Sequence, residues 1–218
     1  MSIDDKTMAR IKASSPFAGV AEEDMEALVD QLHAYTRAYA KDTVIRHAGD
    51  ELDFYPVILE GEVQSTMPRG ESEQIIARFL PGESFAEAVP GGPGVCPVNI
   101  RALCDTVLLQ IPAQGLKHCA HPSASIVQAN LMQMMARRIT WLSKKIALLN
   151  EPRLRKRILL FLEDQDKEED GSIRVYFSRK DMAEYLGVND KALLREIKRM
   201  QEEGVLWVED RRFRILRR

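Results

Sequence analysis

The spacing of apolar residues changes twice along this chain, and each change predicts a different kind of structure. Between Ala21 and Tyr35, apolar residues recur at helical spacing: Met25, Leu28, Val29 and Leu32. Short apolar segments follow from Thr43 to Pro112, separated by turn sequences at 48–50, 60–62, 68–70 and 81–83. Turns at intervals of roughly ten residues predict a compact antiparallel β-domain, a roll or barrel.

Apolar residues between Ser123 and Asn150 return to helical spacing and keep it much longer. They step by three and four residues for nearly three heptads, which is typical of a helix that packs against a copy of itself. The predicted seam consists of Met132, Met135, Ile139, Leu142, Ile146 and Leu149. A second stripe should face the β-domain of the same chain: Leu131, Met134 and Trp141. A single amphipathic core helix is the alternative interpretation.

The helical seam stops at Asn150-Glu151-Pro152. Proline cannot continue a helix interior and disfavours helix in the residue before it, so we predict a hinge here. The chain then divides into a β-domain at 1–122, a dimerisation helix at 123–150 and a third region at 151–218.

The third region begins with an amphipathic helix whose apolar side is Ile158, Leu159, Phe161 and Leu162. After a polar turn and a strand, the stretch from Ser178 to Leu206 predicts two short helices joined by a turn. Ser178 and Asn189 are suited to cap these helices, and Gly187 suits the end of the first. A β-hairpin closes the chain. This succession predicts a winged helix-turn-helix, a fold that reads DNA.

Composition and charge narrow the function classes. The 218 residues are 45% hydrophobic and 29% charged, which is ordinary for a soluble globular protein. We expect a cytoplasmic protein without a membrane partner, because no apolar run approaches ~20 residues and no signal cleavage pattern is present. Three cysteines suit a reducing compartment. The net charge is −2, yet residues 151–218 carry 17 basic against 15 acidic residues, and Arg211–Arg218 holds five arginines.

Residues 153–218, FYPVILEGEVQ at Phe54–Gln64 and LPGESFAEA at Leu80–Ala88 resemble the Crp/Fnr superfamily of bacterial transcription regulators. The order of regions is similar to that family over nearly the whole chain. The resemblance implies an α+β fold: an N-terminal β-roll of the cyclic-nucleotide-binding type, a long dimerisation helix and a C-terminal winged helix-turn-helix. It also implies a homodimer on an inverted repeat in double-stranded DNA, an unknown small-molecule or gas effector, and RNA polymerase as a further partner.

The recognition helix departs from the family pattern at its start. Members commonly carry Ser-Arg-Glu there, whereas this chain has Asn189, Asp190 and Lys191; the later arginine is retained as Arg195. Arginine to guanine is the commonest specific contact, so Arg195 is the first candidate for base contact and Lys191 the second. Asp190 could accept from a cytosine amino group or favour the helix N-terminus by its charge. Phosphate contacts are expected from Ser178, Arg179, Lys180, Lys198, Arg199, Arg211, Arg212 and Arg214.

The resemblance further implies an effector pocket between the β-roll and the dimerisation helix. The candidate lining residues are Phe85, Glu87, Val95, Cys96, Val98, Met132 and Met135. In members that bind cAMP, a glycine-glutamate pair holds the ribose and an arginine-serine pair holds the phosphate. These positions fall on Ala86-Glu87 and near Cys96-Pro97, and no basic residue lies between Phe85 and Arg101. A buried phosphate without a counter-charge is costly, so we predict that cyclic nucleotides do not bind tightly.

Cofactors are less sharply defined by the sequence. Oxygen sensors of this family hold an iron–sulfur cluster through cysteines mostly before the first helix; no cysteine precedes Cys96 here, so that cluster is not expected. Haem stays open, because ligands could come from His33, His47, His118, His121, Cys96, Cys104 and Cys119. No complete metal-ligand spacing is present. A cluster such as His118–His121 more often caps a helix or packs. Cys96 could also be a redox-sensitive thiol.

The sequence leaves two alternatives to an effector-controlled regulator open. One is a gas or stress sensor that uses haem or thiol chemistry with the same DNA-binding domain. The other is a ligand-binding module without a DNA role. An enzyme is not expected, because the chain shows no nucleophile–base spacing, Gly-rich phosphate loop or paired carboxylates in a defined motif.

Overall fold

The computed structural model describes residues 3–69, 72–86, 90, 92 and 94–217. Contacts divide the chain into two compact units: Met1–Arg69 with Ile76–Ile139, and Gly70–Ile75 with Thr140–Arg218. The division falls inside the long helix. Its first part therefore belongs with the β-domain and its last turns belong with the C-terminal helices, whereas boundaries at 122 and 150 treat the helix as a region of its own.

The first unit begins with helices and continues as a β-domain. Two α-helices and two 3-10 turns come first: α1 (Asp5–Ala13), Ser15–Phe17, Glu22–Asp24 and α2 (Met25–Gln31). The strands are β1 (Tyr35–Tyr39), β2 (Val44–Arg46), β3 (Phe54–Glu60), β4 (Val63–Arg69), β5 (Ser72–Phe79), β6 (Asn99–Ala102) and β7 (Thr106–Pro112). Two further helices follow: α3 (Ala113–His118) and α4 (Ala124–Asn150).

Within the described residues, these strands form two sheets, ordered β1-β7-β3 and β2-β6-β4-β5. β1 and β3 pair antiparallel with β7, and β2 and β4 pair antiparallel with β6. The β3–β4 turn needs Gly61, because its φ is +88° and a Cβ there would collide with the backbone of Asp105 and Thr106. The predicted antiparallel β-domain is therefore present.

The core of the first unit lies between helices and the β1-β7-β3 sheet. Leu28 of α2, Val57 of β3, Leu109 of β7 and Val127 of α4 belong to one buried cluster with exposed fractions of 0%. Ser123 anchors the start of α4, since its hydroxyl donates to Asp24 at 2.6 Å. Burying this apolar stripe against the sheet is what holds the first turns of α4 in place.

The predicted helix at Ala21–Tyr35 is shorter in the structure. A 3-10 turn precedes α2, which ends at Gln31, and Tyr35 already begins β1. The backbone turns at His33, whose φ is +52°. The apolar residues at helical spacing do pack inward, because Met25, Leu28, Val29 and Leu32 are all buried. The periodicity identified the buried face correctly but not the ends of the helix.

α4 leaves much of the predicted heptad seam exposed. The exposed fractions are 67% for Met132, 66% for Ile139, 60% for Ile146 and 38% for Leu142, while Met135 and Leu149 are half-buried. Large apolar side chains are seldom exposed in a continuous row without a partner. These residues form an exposed apolar row on α4.

The second unit contains the last turns of α4 and a helical domain with a small sheet. Its elements are α5 (Leu154–Glu163), β8 (Ile173–Arg174), α6 (Arg179–Leu186), α7 (Asp190–Glu202), β9 (Leu206–Glu209) and β10 (Arg212–Ile215). The sheet order is β8-β10-β9. Ile158, Phe161, Leu186, Leu193 and Phe213 lie in its buried cluster.

The second stripe of α4 divides between the two units. Leu131 and Met134 pack in the cluster of the first unit, as expected. Trp141 instead packs against the cluster around α5, α6 and α7. The expectation that Trp141 faces the β-domain is therefore wrong, because that turn of α4 already belongs to the second unit.

Candidate nucleic-acid interface

The start of α6 is fixed by a capping box. Ser178 accepts a hydrogen bond from the Asp181 backbone N–H at 3.1 Å, and the Asp181 carboxylate accepts from the Ser178 N–H at 3.3 Å. Met182, Ala183 and Leu186 face inward and are buried. The local pattern of cap and apolar positions therefore forms the helix that the sequence predicts.

A tight turn joins α6 to α7. Gly187 ends α6 in the left-handed region with φ +68°. The N–H of Val188 returns to the Ala183 carbonyl at 3.0 Å, and Val188 packs partly buried against the core. A side chain at Gly187 would strain this conformation, so the turn depends on glycine.

α7 has a buried face and an exposed face. The Asn189 side chain accepts from the Ala192 N–H at 2.8 Å and so caps the helix. Leu193, Ile197 and Met200 are buried. The exposed face carries Asp190, Lys191, Leu194, Arg195 and Lys198.

The four predicted base-contact residues lie together at the start of α7, and all are exposed. Asn189 has a structural role as the cap, so capping does not require Asp190. Asp190 is the first helical residue, where its negative charge favours the helix N-terminus. The Nε of Arg195 donates to the Lys191 carbonyl at 3.3 Å, which lays the guanidinium along the exposed face.

Leu194 is a candidate that reasoning from charge alone missed. Its side chain is 48% exposed on the same face as Lys191 and Arg195. An apolar side chain on a recognition helix can contact the methyl group of thymine. The sequence indicates this candidate, because Leu194 directly follows the inward-facing Leu193 and so cannot lie on the same buried face of the helix.

Two of the eight predicted phosphate contacts also shape the motif. Ser178 is occupied as a helix cap, and Arg179 holds the wing. The guanidinium of Arg179 donates to the Asp210 carbonyl and lies 4.6 Å from the centroid of the Phe213 ring. Burial lowers the pKa of this guanidinium. Both residues therefore have structural duties besides any contact with DNA.

Four of the other six cations are exposed and pair with acids on the surface. Lys180 lies 3.9 Å from Glu184, Lys198 lies 3.8 Å from Glu202, Arg199 lies 2.8 Å from Glu203 and Arg212 lies 3.5 Å from Glu168. Exposed ion pairs contribute about 0–1 kcal/mol each. A phosphate can therefore compete with these partners, which contributes to the salt dependence of binding.

The wing is a short hairpin with basic side chains. β9 pairs with β10 antiparallel, and Asp210 makes the turn with φ +49°. The Arg214 guanidinium lies 5.6 Å from the Trp207 ring centroid and donates to the Asp170 carbonyl at 3.0 Å. The predicted hairpin is present, and β8 adds a third strand to it.

Two cations outside the predicted set tie α6 to its neighbours. Arg157 of α5 donates to the Leu186 carbonyl at 2.6 Å and to the Glu151 carbonyl at 2.7 Å. Lys145 of α4 donates to the Tyr185 carbonyl at 2.7 Å. Basic side chains at the C-terminus of a helix can donate hydrogen bonds to its last carbonyls. Their partners lie 29 and 40 residues away, respectively, so no local spacing could reveal them.

The predicted effector-pocket residues differ widely in exposure. Phe85 is 1% and Cys96 is 0% exposed, whereas Val95 is 43% and Met132 is 67% exposed. Met135 and Val98 are half-buried, and Glu87 lies outside the described residues. Met132 and Met135 belong to two predicted sets, the lining of the effector pocket and the helical seam. Met132 lies in the exposed row of α4.

Phe85 is linked to α4 through an aromatic contact that the sequence did not reveal. The Phe79 and Phe85 ring centroids lie 5.5 Å apart. The Arg138 guanidinium of α4 lies 4.6 Å from the Phe79 ring centroid. This stack connects the buried loop at Phe85 with the helix that carries the seam.

Cys96 does not have the surroundings of a reactive thiol. Its Sγ donates to the Val98 carbonyl at 3.2 Å, and its backbone exchanges hydrogen bonds with Gly49 and Asp50. Burial raises the pKa of this thiol. Reactive thiols usually have a lowered pKa and partial exposure, so Cys96 is better described as a packing residue of its loop.

The histidines and cysteines are dispersed. In the ranges that the structure describes, no group of three or more His, Cys, Asp or Glu side chains is placed to hold a metal ion. His121 accepts from the Ser123 N–H at 3.2 Å, just before α4, and Cys119 packs partly buried in the first core. His121 thus contacts the backbone just before α4, and Cys119 contributes to packing.

Among the described residues, every helix is too short or too polar to span a lipid bilayer.

The second unit presents a capped two-helix motif, an exposed polar recognition face and a basic hairpin. These features define the class of winged helix-turn-helix DNA-binding domains.

Comparisons with known proteins agree with this class. Residues 36–121 match the cyclic nucleotide-binding domain family, and residues 153–218 match the Crp-like helix-turn-helix domain family. The transcriptional activator protein FnrA of Stutzerimonas stutzeri is 26% identical over 205 residues, which span 89% of this chain and 81% of that protein.

Two solved structures share the fold at low sequence identity. FixK2 from Bradyrhizobium japonicum has a TM-score of 0.66 at 23% identity, covering 85% of this chain and 93% of that one. A CooA mutant from Carboxydothermus hydrogenoformans has a TM-score of 0.73 at 16% identity, covering 99% of this chain and 94% of that one. The chain belongs to the Crp/Fnr superfamily of transcription regulators, with a cyclic-nucleotide-binding-like domain and a DNA-binding helix-turn-helix.

Proposed function

We propose that this regulator acts as a homodimer that binds an inverted-repeat operator in double-stranded DNA. The observation that carries the proposal is the exposed face of α7. Lys191, Leu194 and Arg195 project from a helix whose start, turn and buried face are all fixed by the fold. A recognition helix must be held rigidly for its side chains to meet base edges in the major groove.

In this proposal, Arg195 and Lys191 contact bases, and Leu194 adds an apolar contact with thymine. Asp190 stays near the helix start, where it can accept from cytosine. The exposed cations Lys180, Lys198, Arg199 and Arg212 contact phosphates and set the position of the domain on the duplex. Arg179 and Ser178 contribute chiefly by holding the motif and the wing in shape.

Dimerisation would proceed through α4. The row Met132, Ile139, Leu142 and Ile146 is apolar and exposed, and its spacings of seven, three and four residues follow a heptad pattern. A second α4 packed against this row would bury it and relate two copies by a two-fold axis. Two recognition helices would then enter successive major grooves ~34 Å apart.

We further propose that an effector at the β-domain side of α4 controls the DNA-competent form, and that this effector is not cAMP. Support comes from the burial of Phe85 and Cys96 and from the sequence between Phe85 and Arg101, which contains no basic residue. A ligand shifts the population of states only by binding one of them better. We propose that the protein acts in the cytoplasm as a regulator and not as an enzyme. RNA polymerase is its proposed further partner.

Salt-dependent binding to duplex DNA tests the proposal. The dissociation constant for mixed-sequence duplexes would be measured by fluorescence anisotropy between about 50 and 200 mM salt. A protein that contacts several phosphates loses affinity steeply over this range, with log K falling linearly against log salt. Absence of duplex binding at 50 mM salt would contradict the proposal and favour a ligand-binding module without a DNA role.

A further inference from the structure

A cavity in the second unit lies beside the last turns of α4. Its volume is about 320 Å³, within the range of about 300–1,000 Å³ typical of small-molecule sites. Most of its wall is apolar and comes from α4, α5 and α6: Trp141, Leu148, Leu160, Phe161 and Tyr185. The cavity is distinct from the predicted effector pocket, whose residues all lie in the first unit.

The cavity wall also contains a buried amine. Lys145 is only 5% exposed. Its Nζ donates to the Tyr185 carbonyl at 2.7 Å and lies 2.7 Å from the centroid of the Tyr185 ring. A charged ammonium has three donors, and burial without an anion is costly. Burial accordingly lowers the pKa of Lys145 to about 6.

Other charged groups at the cavity are more exposed than Lys145. On its own helix, Lys144 is 65% exposed and donates to Asp164 at 2.7 Å. Glu163 and Asp164 of α5 face the cavity from the exposed side. Tyr185 of α6 is the remaining titratable neighbour, and burial raises its pKa to about 12. Water screens exposed charges far more than buried ones, so Lys145 is less screened than the exposed charged groups of the cavity wall.

We propose that this cavity binds a small amphiphilic carboxylic acid, with its apolar body against Trp141 and Phe161 and its carboxylate on Lys145. The carboxylate supplies the counter-charge that the buried amine lacks. The apolar wall takes the hydrocarbon part from water. Charge-assisted hydrogen bonds in a low-dielectric site are stronger than those between neutral groups.

Proton uptake is a specific consequence of this arrangement. Because burial lowers the pKa of Lys145 to about 6, we expect the amine to be largely neutral at pH 8 in the free protein and to become charged when a carboxylate binds beside it. Binding at pH 8 should therefore be accompanied by proton uptake, to a limit of one proton per chain. The affinity should rise as pH falls from 8 towards 6. A neutral ligand of the same size takes up no proton.

Octanoate and 1-octanol are the matched probes. Calorimetric titrations in two buffers of different ionisation enthalpy give the affinity and the proton count. Trp141 fluorescence reports occupancy of the cavity in a Trp207→Phe background, since the chain has 2 tryptophans and Trp207 lies on the wing. No DNA is present, so the outcome does not depend on the proposed operator.

Lys145→Met tests the assignment to one side chain. The substitution removes the amine but keeps an unbranched chain of similar length, so the fold should be retained. We expect octanoate affinity to fall at least tenfold and proton uptake to vanish, with octanol affinity unchanged. Lys144→Met removes the neighbouring exposed charge and should change octanoate affinity less than twofold.

Three results would overturn the proposal. One is the absence of saturable octanoate binding below its micelle concentration. Another is equal affinity for octanoate and octanol at pH 6. The third is binding that Lys145→Met leaves unchanged, or that Lys144→Met abolishes instead.

Discussion

At the residue scale, the exposed face of α7 separates side chains that shape the motif from side chains free to meet DNA. Asn189 is engaged by the backbone of its own helix. Arg195 makes a long contact with the Lys191 carbonyl, at 3.3 Å, which a base edge can replace. Lys180 lies at the start of α6 and is 74% exposed, so we propose it as a phosphate contact rather than a base contact.

Replacing these two cations should have different effects on specificity. Arg195→Ala should reduce discrimination at one base pair by about 1–3 kcal/mol, because a guanine contact is lost. Lys180→Ala should weaken all duplexes by a similar factor and make the salt dependence shallower. Competition titrations with single-base operator variants measure both. Equal loss on all duplexes for Arg195→Ala would exclude it as a base contact.

At the element scale, local cap residues predicted the starts of α6 and α7. Ser178, Asp181 and Asn189 act within three residues of their partners, so the local sequence reveals them. The apolar positions of α6 and α7 also pack as their spacing indicated. Contacts between distant segments could not be predicted in this way. Lys145 at Tyr185, and Arg138 over Phe79, depend on how separate elements meet.

The cap of α7 gives a direct test of these local rules. Asn189→Ala should lower the free energy of unfolding by about 0.5–2 kcal/mol, because the Ala192 N–H loses its acceptor. Asn189→Asp retains an acceptor at the same place and should stay within about 0.5 kcal/mol of the parent chain. Urea denaturation followed by circular dichroism measures both. An unchanged midpoint for Asn189→Ala would mean that the cap contributes nothing.

The exposed row of α4 makes a second prediction at this scale. Ile139→Glu should convert the dimer to monomer, because dimerisation would bury an unpaired carboxylate. Gln133→Glu adds the same charge at an exposed position outside the seam and should remain dimeric. Sedimentation velocity distinguishes the two species. If the parent chain sediments as a monomer at micromolar concentration, dimerisation through the exposed row of α4 is contradicted.

At the scale of the whole molecule, the fold and the ligand of a family need not coincide. The chain has the cyclic-nucleotide-binding-like domain, yet the loop between Phe85 and Arg101 has no basic residue. Cys96 lies near the position that would bind a phosphate. It is buried and donates a hydrogen bond to the Val98 carbonyl of its own loop. The turn spacing and the family resemblance were enough to predict the domain from the sequence. The identity of the effector could not be predicted, because it depends on a few side chains that distant segments bring together.

Thermal unfolding with cAMP tests this distinction. A ligand at one hundred times its Kd stabilises the folded state by about 2.7 kcal/mol, which raises Tm by several degrees. We expect about 1 mM cAMP to shift Tm by no more than the same concentration of AMP does, because the phosphate finds no counter-charge. A saturable increase of several degrees with cAMP alone would show that another group supplies that charge.

Selection from a pool of random duplexes tests the central claim most directly. Bound sequences would be recovered after several rounds and aligned without imposing symmetry. The account predicts an inverted repeat whose half-sites lie about 10–10.5 base pairs apart, bound by two chains per duplex. Failure to enrich any sequence, or enrichment of a single asymmetric half-site bound by one chain, would contradict it.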